Sequence, residues 1–172
     1  MELKAKLPNG KLVDPASIGI RYYGTDKIHP DLAFKYGIPL KGGCNDLYGH
    51  VLGNPDSAFR GTTERPIISH HQEQGAIYWA GHEGWVYTLG LMQGWDVERL
   101  LDGLVPTAGG FTGSPHLGEL ECAIDSRISP QLIQGANRVF KSRRFLELGE
   151  WIENKNYQQS KLKSCAIGGK AQ

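Results

Sequence analysis

Glycine interrupts this chain every few residues, and that punctuation limits its folding more than any other feature. The 23 glycines among 172 residues are about twice the usual ~7% share, and they are spread along the chain without a G-X-Y period. A collagen helix is excluded, and a loop-rich fold with many short strands is favoured over a helical bundle. Apolar residues at 40% and charged residues at 22% lie near globular averages, so the chain buries a real but modest core. Its length fits one domain over 1–172, with residues 1–18 as a lead-in and 141–172 as a basic C-terminal helix and tail.

Short elements follow from the turn signals. Ile18 to Tyr23 is β-rich and ends at Gly24. Pro30 opens a helix through Phe34 that stops at Gly37, with Pro at the first turn and Gly past the end. Asn45 is placed to cap a helix over Asp46 to Leu52, closed by Gly53-Asn54-Pro55. Strands are expected over Ser57–Thr63, Trp85–Leu89, Glu119–Ile124 and Ala136–Phe140. Helical segments are expected within Pro66–Ala80, over Asp96–Leu101, at Ser129-Pro130 and over Arg143–Trp151. Strands alternating with small helices make an α+β domain.

The net charge of +1 predicts no strong overall attraction to nucleic acid or acidic membranes. The charge is nevertheless uneven. Residues 1–137 carry 11 Lys and Arg against 15 Asp and Glu, whereas residues 138–172 carry 8 against 3. A basic end can grip a phosphate-rich partner, and it can equally be a solvated face. Cys44, Cys122 and Cys165 are too few and scattered for a disulfide framework, so reduced thiols are expected. No stretch approaches the ~20 apolar residues of a membrane span, and the first residues lack a signal peptide's apolar core. No membrane partner is expected.

Several chemistries are disfavoured by spacing. His70, His71 and His82 lack the i, i+4 arrangement of H-E-x-x-H, and no C-x-x-C pair accompanies them, so no metal is expected. Neither a Walker A run nor G-x-G-x-x-G is present. Gly113-Ser114-Pro115 follows a glycine-rich loop, not the strand of a nucleophile elbow. The informative run is Gly118-Glu119-Leu120-Glu121. On a strand the two carboxylates share one face, roughly 7 Å apart. Alone such a pair marks a solvent-facing edge as readily as a site, but here it follows a glycine-rich loop bearing Phe111.

In this setting the chain resembles the mono-ADP-ribosyltransferase toxins of the pertussis, cholera and pierisin-like group. The resemblance spans roughly residues 19–140 and rests on four stretches in order: Pro30-x-x-x-Phe34-x-x-Gly37; Asn45-Asp-Leu-Tyr-Gly-His50-Val-Leu-Gly53; Ser57-Ala-Phe59-Arg-Gly-Thr62-Thr63; and Trp85-Val-Tyr87 with Glu119-Leu-Glu121, Ile128-Ser-Pro130 and Gly135-Ala136. Two departures stand out. Tyr23, in Tyr22-Tyr23-Gly24-Thr25, occupies the position of the family's first-strand Arg, and Gly61 stands where the family often has Ser. Arg21, two residues before Tyr23 on the same strand face, is the alternative source of a guanidinium.

The resemblance implies a split β-sandwich of two small sheets with flanking short helices, and NAD+ as substrate in the cleft between them. It implies Glu121 as the catalytic carboxylate, with Glu119 orienting the acceptor beside Phe111. Arg21, Tyr23, Gly24, Thr25, His50, Thr62 and Thr63 become the cofactor-binding set. Glu119 points to a protein arginine as acceptor, while the basic segment with Arg138, Lys141, Arg143 and Arg144 points to nucleic acid. Phe140 and Phe145 are expected in the core, which leaves that segment without exposed aromatics for stacking. An NAD+ glycohydrolase and a catalytically degenerate binding module stay open beside the transferase. The same resemblance implies a toxin domain delivered from a secreting bacterium, acting in the target-cell cytoplasm, with a cognate immunity protein.

Overall fold

A computed structural model describes residues 2–68, 75–105 and 121–158. Ten strands form in chain order: β1 (Ala5–Lys6), β2 (Leu12–Val13), β3 (Ala16–Ile18), β4 (Arg21–Thr25), β5 (Phe59–Thr63), β6 (Trp85–Leu89), β7 (Met92–Asp96), β8 (Glu121–Asp125), β9 (Ile133–Ser142) and β10 (Phe145–Glu153). Four short helices accompany them: α1 (Pro30–Tyr36), α2 (Leu47–Val51), α3 (Ala76–Ala80) and α4 (Val97–Leu101). Eight strands make one sheet in the order β10-β9-β6-β4-β5-β8-β7-β3, and β1 with β2 makes a small second ribbon. Every pairing between these strands is antiparallel.

The large sheet nearly parts in its middle. β4 matches β6 over five residue pairs and β5 matches β8 over five, but β4 meets β5 only at Tyr22 opposite Thr63. The halves β10-β9-β6-β4 and β5-β8-β7-β3 are therefore joined at one point, and the expected split falls there. The α+β class holds, with two linked half-sheets in place of separate ones.

Alternation along the strands decides what each face buries. Val86 and Tyr87 are neighbours on β6 and point to opposite faces. Val86 packs with Val139 and with Ala76, Ile77 and Ala80 of α3. Tyr87 packs with Tyr23, Ala136 and Ala33 of α1. A separate cluster joins Phe59, Trp95 and Ala123 to Leu47 and Val51 of α2 and Leu101 of α4. Residues 1–18 are more than a lead-in: Ala5 and Leu7 enter that cluster, Trp95 donates its indole N–H to the Val13 carbonyl at 2.9 Å, and β3 pairs with β7.

Helix starts follow their caps. His29 accepts the Asp31 N–H before α1, and Asp96 accepts the Arg99 N–H before α4. The cap of α2 is Asp46, accepting from the Tyr48 N–H, not Asn45, whose amide donates instead to the Lys4 carbonyl at 3.0 Å. The helix expected over Arg143–Trp151 is strand β10, which folds back on β9 through a two-residue turn at Arg143 and Arg144. Leu146 and Leu148, spaced by two, reach the α3 cluster from one strand face, so the period of 2 overrides the helical one.

Gly24 shows how tightly α3 sits on β4. A Cβ there would lie 1.8 Å from the Ala76 carbonyl oxygen and 3.0 Å from the Ala80 nitrogen, both rigid backbone. Gly24→Ala should destabilise the fold by about 3 kcal/mol, through overpacking that no rotamer relieves. Chemical denaturation measures this, and an unchanged midpoint would mean that α3 does not pack on the strand.

Candidate active site

The near-parting of β4 from β5 opens a cleft of about 720 Å³, lined by both strands, α2, α3 and Glu121. That volume falls within the range of cofactor and small-molecule pockets. Seven of the residues expected at the site line it: Tyr23, Gly24, Thr25, His50, Thr62, Thr63 and Glu121. Glu119 and Phe111 lie outside the described residues, as do His70 and His71. Arg21 sits opposite Leu89 and is not among the lining residues; its charge is felt at Cys122.

Glu121 opens β8 opposite Thr63, and its carboxylate meets His50 of α2, with Oε1 3.1 Å from His50 Nε2. Both side chains are largely buried, 13% and 8% exposed. The other ring nitrogen, Nδ1, lies 3.1 Å from Ser57 Oγ, which also accepts the Phe59 N–H. An ionised carboxylate only accepts, so Nε2 carries the hydrogen, and the Ser57 hydroxyl serves Nδ1 in either protonation state. The Phe59 ring packs edge-on against the imidazole at 5.8 Å between centroids. His50 is thus held on three sides and holds one oxygen of Glu121 in turn.

Gly61 makes that contact possible. A Cβ at position 61 would come within 2.7 Å of Glu121 Oε1 and 3.7 Å of His50 Nε2. The neighbouring threonines are committed elsewhere: Thr62 donates to the Cys122 carbonyl at 2.8 Å and Thr63 to the Arg65 carbonyl at 2.6 Å. Neither hydroxyl is hydrogen-bonded to Glu121. Burial pushes the adjacent Cys122 thiol up to about 11, so it is no nucleophile at neutral pH.

The guanidinium that stands beside Tyr23 in the cleft comes from the next strand. Arg60 of β5 donates to the Tyr23 hydroxyl at 2.7 Å, the Ser126 carbonyl at 2.8 Å and the Pro39 carbonyl at 2.9 Å, and its plane stands over the Tyr23 ring. Three of its five N–H groups are used, which leaves two. Lys41 and Lys27 line the same side of the cleft. Burial, followed by the positive charges of Arg60 and Lys27, lowers the Lys41 amine from its ordinary value. Asp26 is the one other carboxylate among the described lining residues. Arg60 is the one charged residue of the Ser57–Thr63 run, and that is the available sequence signal.

The thiols described, Cys44 and Cys122, are both free. Among the described residues, no group of three or more His, Cys, Asp or Glu converges as metal ligands, and no helix is long and apolar enough to cross a membrane.

No family model and no curated protein matches the chain. Solved structures do. Scabin toxin from Streptomyces scabies in complex with NADH aligns over 84% of this chain and 81% of that one, with 21% identity and a TM-score of 0.61. A single-residue variant of Scabin gives the same TM-score at 20% identity, again over 84% and 81% of the two chains. A guanine-specific ADP-ribosyltransferase aligns over 84% of this chain and 82% of its own, at 19% identity and a TM-score of 0.57. The split sheet that frames His50, Arg60 and Glu121 is accordingly the fold of ADP-ribosyltransferase toxins.

Proposed function

We propose that this chain is a mono-ADP-ribosyltransferase, cleaving the nicotinamide–ribose bond of NAD+ and passing ADP-ribose to a macromolecule. The observation that carries the reading is the buried Glu121 carboxylate, fixed by His50 at the head of the cleft that parts the sheet. Glycosidic cleavage passes through an oxocarbenium-like centre, and a fixed carboxylate beside it stabilises the developing positive charge. His50 occupies one carboxylate oxygen, and no other hydrogen bond to the Glu121 carboxylate is formed among the described residues. The dinucleotide's diphosphate suits the cationic side formed by Arg60, Lys41 and Lys27. A complex of Scabin with NADH supports a dinucleotide as a ligand of this fold.

The acceptor proposed is a nucleobase. A guanine-specific neighbour of the same fold supports it, whereas the protein-arginine reading rests on Glu119 alone. Such a domain acts as a toxin inside a target cell. The direct test incubates the purified chain with NAD+ labelled in the adenylate moiety and a cell lysate. Label in nuclease-sensitive material is expected. Protease-sensitive label would restore the arginine acceptor, nicotinamide release without transfer would make the chain a glycohydrolase, and neither product would leave a binding module.

Arg60→Ala should raise KM for NAD+ about tenfold with a smaller change in kcat, the scale of losing one charge-assisted hydrogen bond. Steady-state nicotinamide release reads the split, and an unchanged KM would remove Arg60 from the binding side. Because the Lys41 amine is lowered, it loses its charge at a less alkaline pH than an ordinary lysine. NAD+ affinity should weaken correspondingly early as pH rises, and Lys41→Arg should remove that part of the profile.

A further inference from the structure

The β9–β10 hairpin carries side chains that neither the core nor the cleft uses. Phe140 and Phe145, expected inside, are 42% and 54% exposed. Register places them together: Phe145 lies opposite Ser142, two residues along from Phe140, so both rings stand on one face. Arg138 occupies the same face two residues earlier and lies opposite Trp85 of β6. Trp85 in turn lies opposite Thr25 of β4, a cleft-lining residue. A row of aromatic and guanidinium groups therefore runs from the hairpin to the mouth of the cleft. At the tip Arg143, with φ of 49°, and Arg144 turn outward and are exposed. Neither of them, nor Arg138, enters an ion pair with any described residue. Glu147, opposite Phe140, is the one carboxylate among the described residues on this outer part of the face.

Exposed rings interleaved with arginines on a sheet surface suit one chemistry above others. Bases stack on aromatic faces, and phosphates take charge-assisted hydrogen bonds from guanidinium groups. Protein interfaces also favour aromatic residues and Arg, but three exposed arginines without a carboxylate partner among the described residues offer more cationic donors than a protein interface core takes up, and phosphates use them. We infer that this face, formed by Trp85, Arg138, Phe140 and Phe145 with Arg143 and Arg144 at its tip, binds a single-stranded nucleic acid and leads it to the cleft. The inference rests on the nucleobase acceptor proposed above and adds the surface that recruits it.

Fluorescence anisotropy of a short labelled single-stranded DNA of mixed sequence, titrated with the full chain over a range of salt, tests the surface. Phe140→Ala/Phe145→Ala should weaken binding about tenfold or more while leaving the salt slope as it was. Arg143→Ala/Arg144→Ala should weaken binding and reduce the magnitude of the slope by about 1.4, the loss of two phosphate contacts on a single strand. Thermal melts establish that each variant is folded, and if the aromatic pair fails to fold, the arginine pair carries the test. Wild-type affinity in the folded variants would overturn the inference, as would a wild-type chain with no salt-dependent binding, which would leave the face to a protein partner. Nicotinamide release by the wild type without DNA is measured alongside. Its absence would sink the catalytic reading while the anisotropy still judged the surface.

Discussion

Replacing Glu121 by Gln is expected to lower nicotinamide release from NAD+ by at least about 10²-fold while leaving the fold intact. The size follows from the role: a preorganised group aimed at developing charge in a water-poor site commonly supplies roughly 10²–10³ in rate. Gln keeps the shape and an amide oxygen able to accept from His50 Nε2, now 3.1 Å from the carboxylate, so the local packing persists. What disappears is the negative charge. Initial-rate nicotinamide release, with thermal denaturation of the same preparation, separates loss of chemistry from loss of structure. A variant retaining more than about a tenth of wild-type release would remove Glu121 from the transition state.

Gly61→Ala is expected to act almost as strongly on rate and hardly at all on stability. The new methyl would lie 2.7 Å from Glu121 Oε1, and the atom it meets is the end of a flexible side chain. The carboxylate swings away at little cost to the fold, breaking its contact with His50. A displacement of about 1 Å at a reacting group costs roughly 10²-fold in rate. The expected signature is a fall in kcat with an unchanged melting temperature, and Gly61→Ser should behave likewise because its Cβ meets the same oxygen. Wild-type kcat in Gly61→Ala would mean that Glu121 does its work from a position not tied to His50. Together with Glu121→Gln, this variant distinguishes a requirement for the charge from a requirement for its placement.

The position of Gly61 also shows where the sequence stops being informative. Read along the chain, a glycine in the serine position looks like a lost hydroxyl and a weakened site. Only the packing of α2 on β5 and β8 reveals that the Glu121 carboxylate occupies that space while it meets His50, 71 residues before it in the chain. The missing arginine at Tyr23 is similar. Along β4 the sequence offers Arg21, whereas the guanidinium hydrogen-bonded to Tyr23 comes from β5, 37 residues on. In both cases the neighbouring group comes from another element, a helix packed on the sheet or the adjacent strand, and such contacts cannot be read from spacing.

Elements bounded by strong local signals are legible. Trp85–Leu89 has its expected ends, and α1 runs from Pro30 to Tyr36 before Gly37. β7 escapes the sequence reading because Gly94 within Met92–Asp96 reads as a turn until β3 and β8 flank it. Strand β10 reads as a helix because Phe145, Leu148 and Trp151 recur at a three-residue spacing that a helix face would also show. Contact with α3 decides in favour of the strand, and it also exposes Phe140 and Phe145.

By itself the sequence determined the class of fold and most of its short elements, and its resemblance to a known family singled out Glu121 and His50 as candidates. The elements follow from local backbone preferences, and the candidates from the motifs that carry the resemblance. Tertiary structure alone decided that Glu121 and His50 touch, that Arg60 and not Arg21 reaches the cleft, and that the aromatic rings of the last hairpin face solvent. Each of these depends on residues far apart in the chain being brought within a few ångströms, and only the assembled sheet does that.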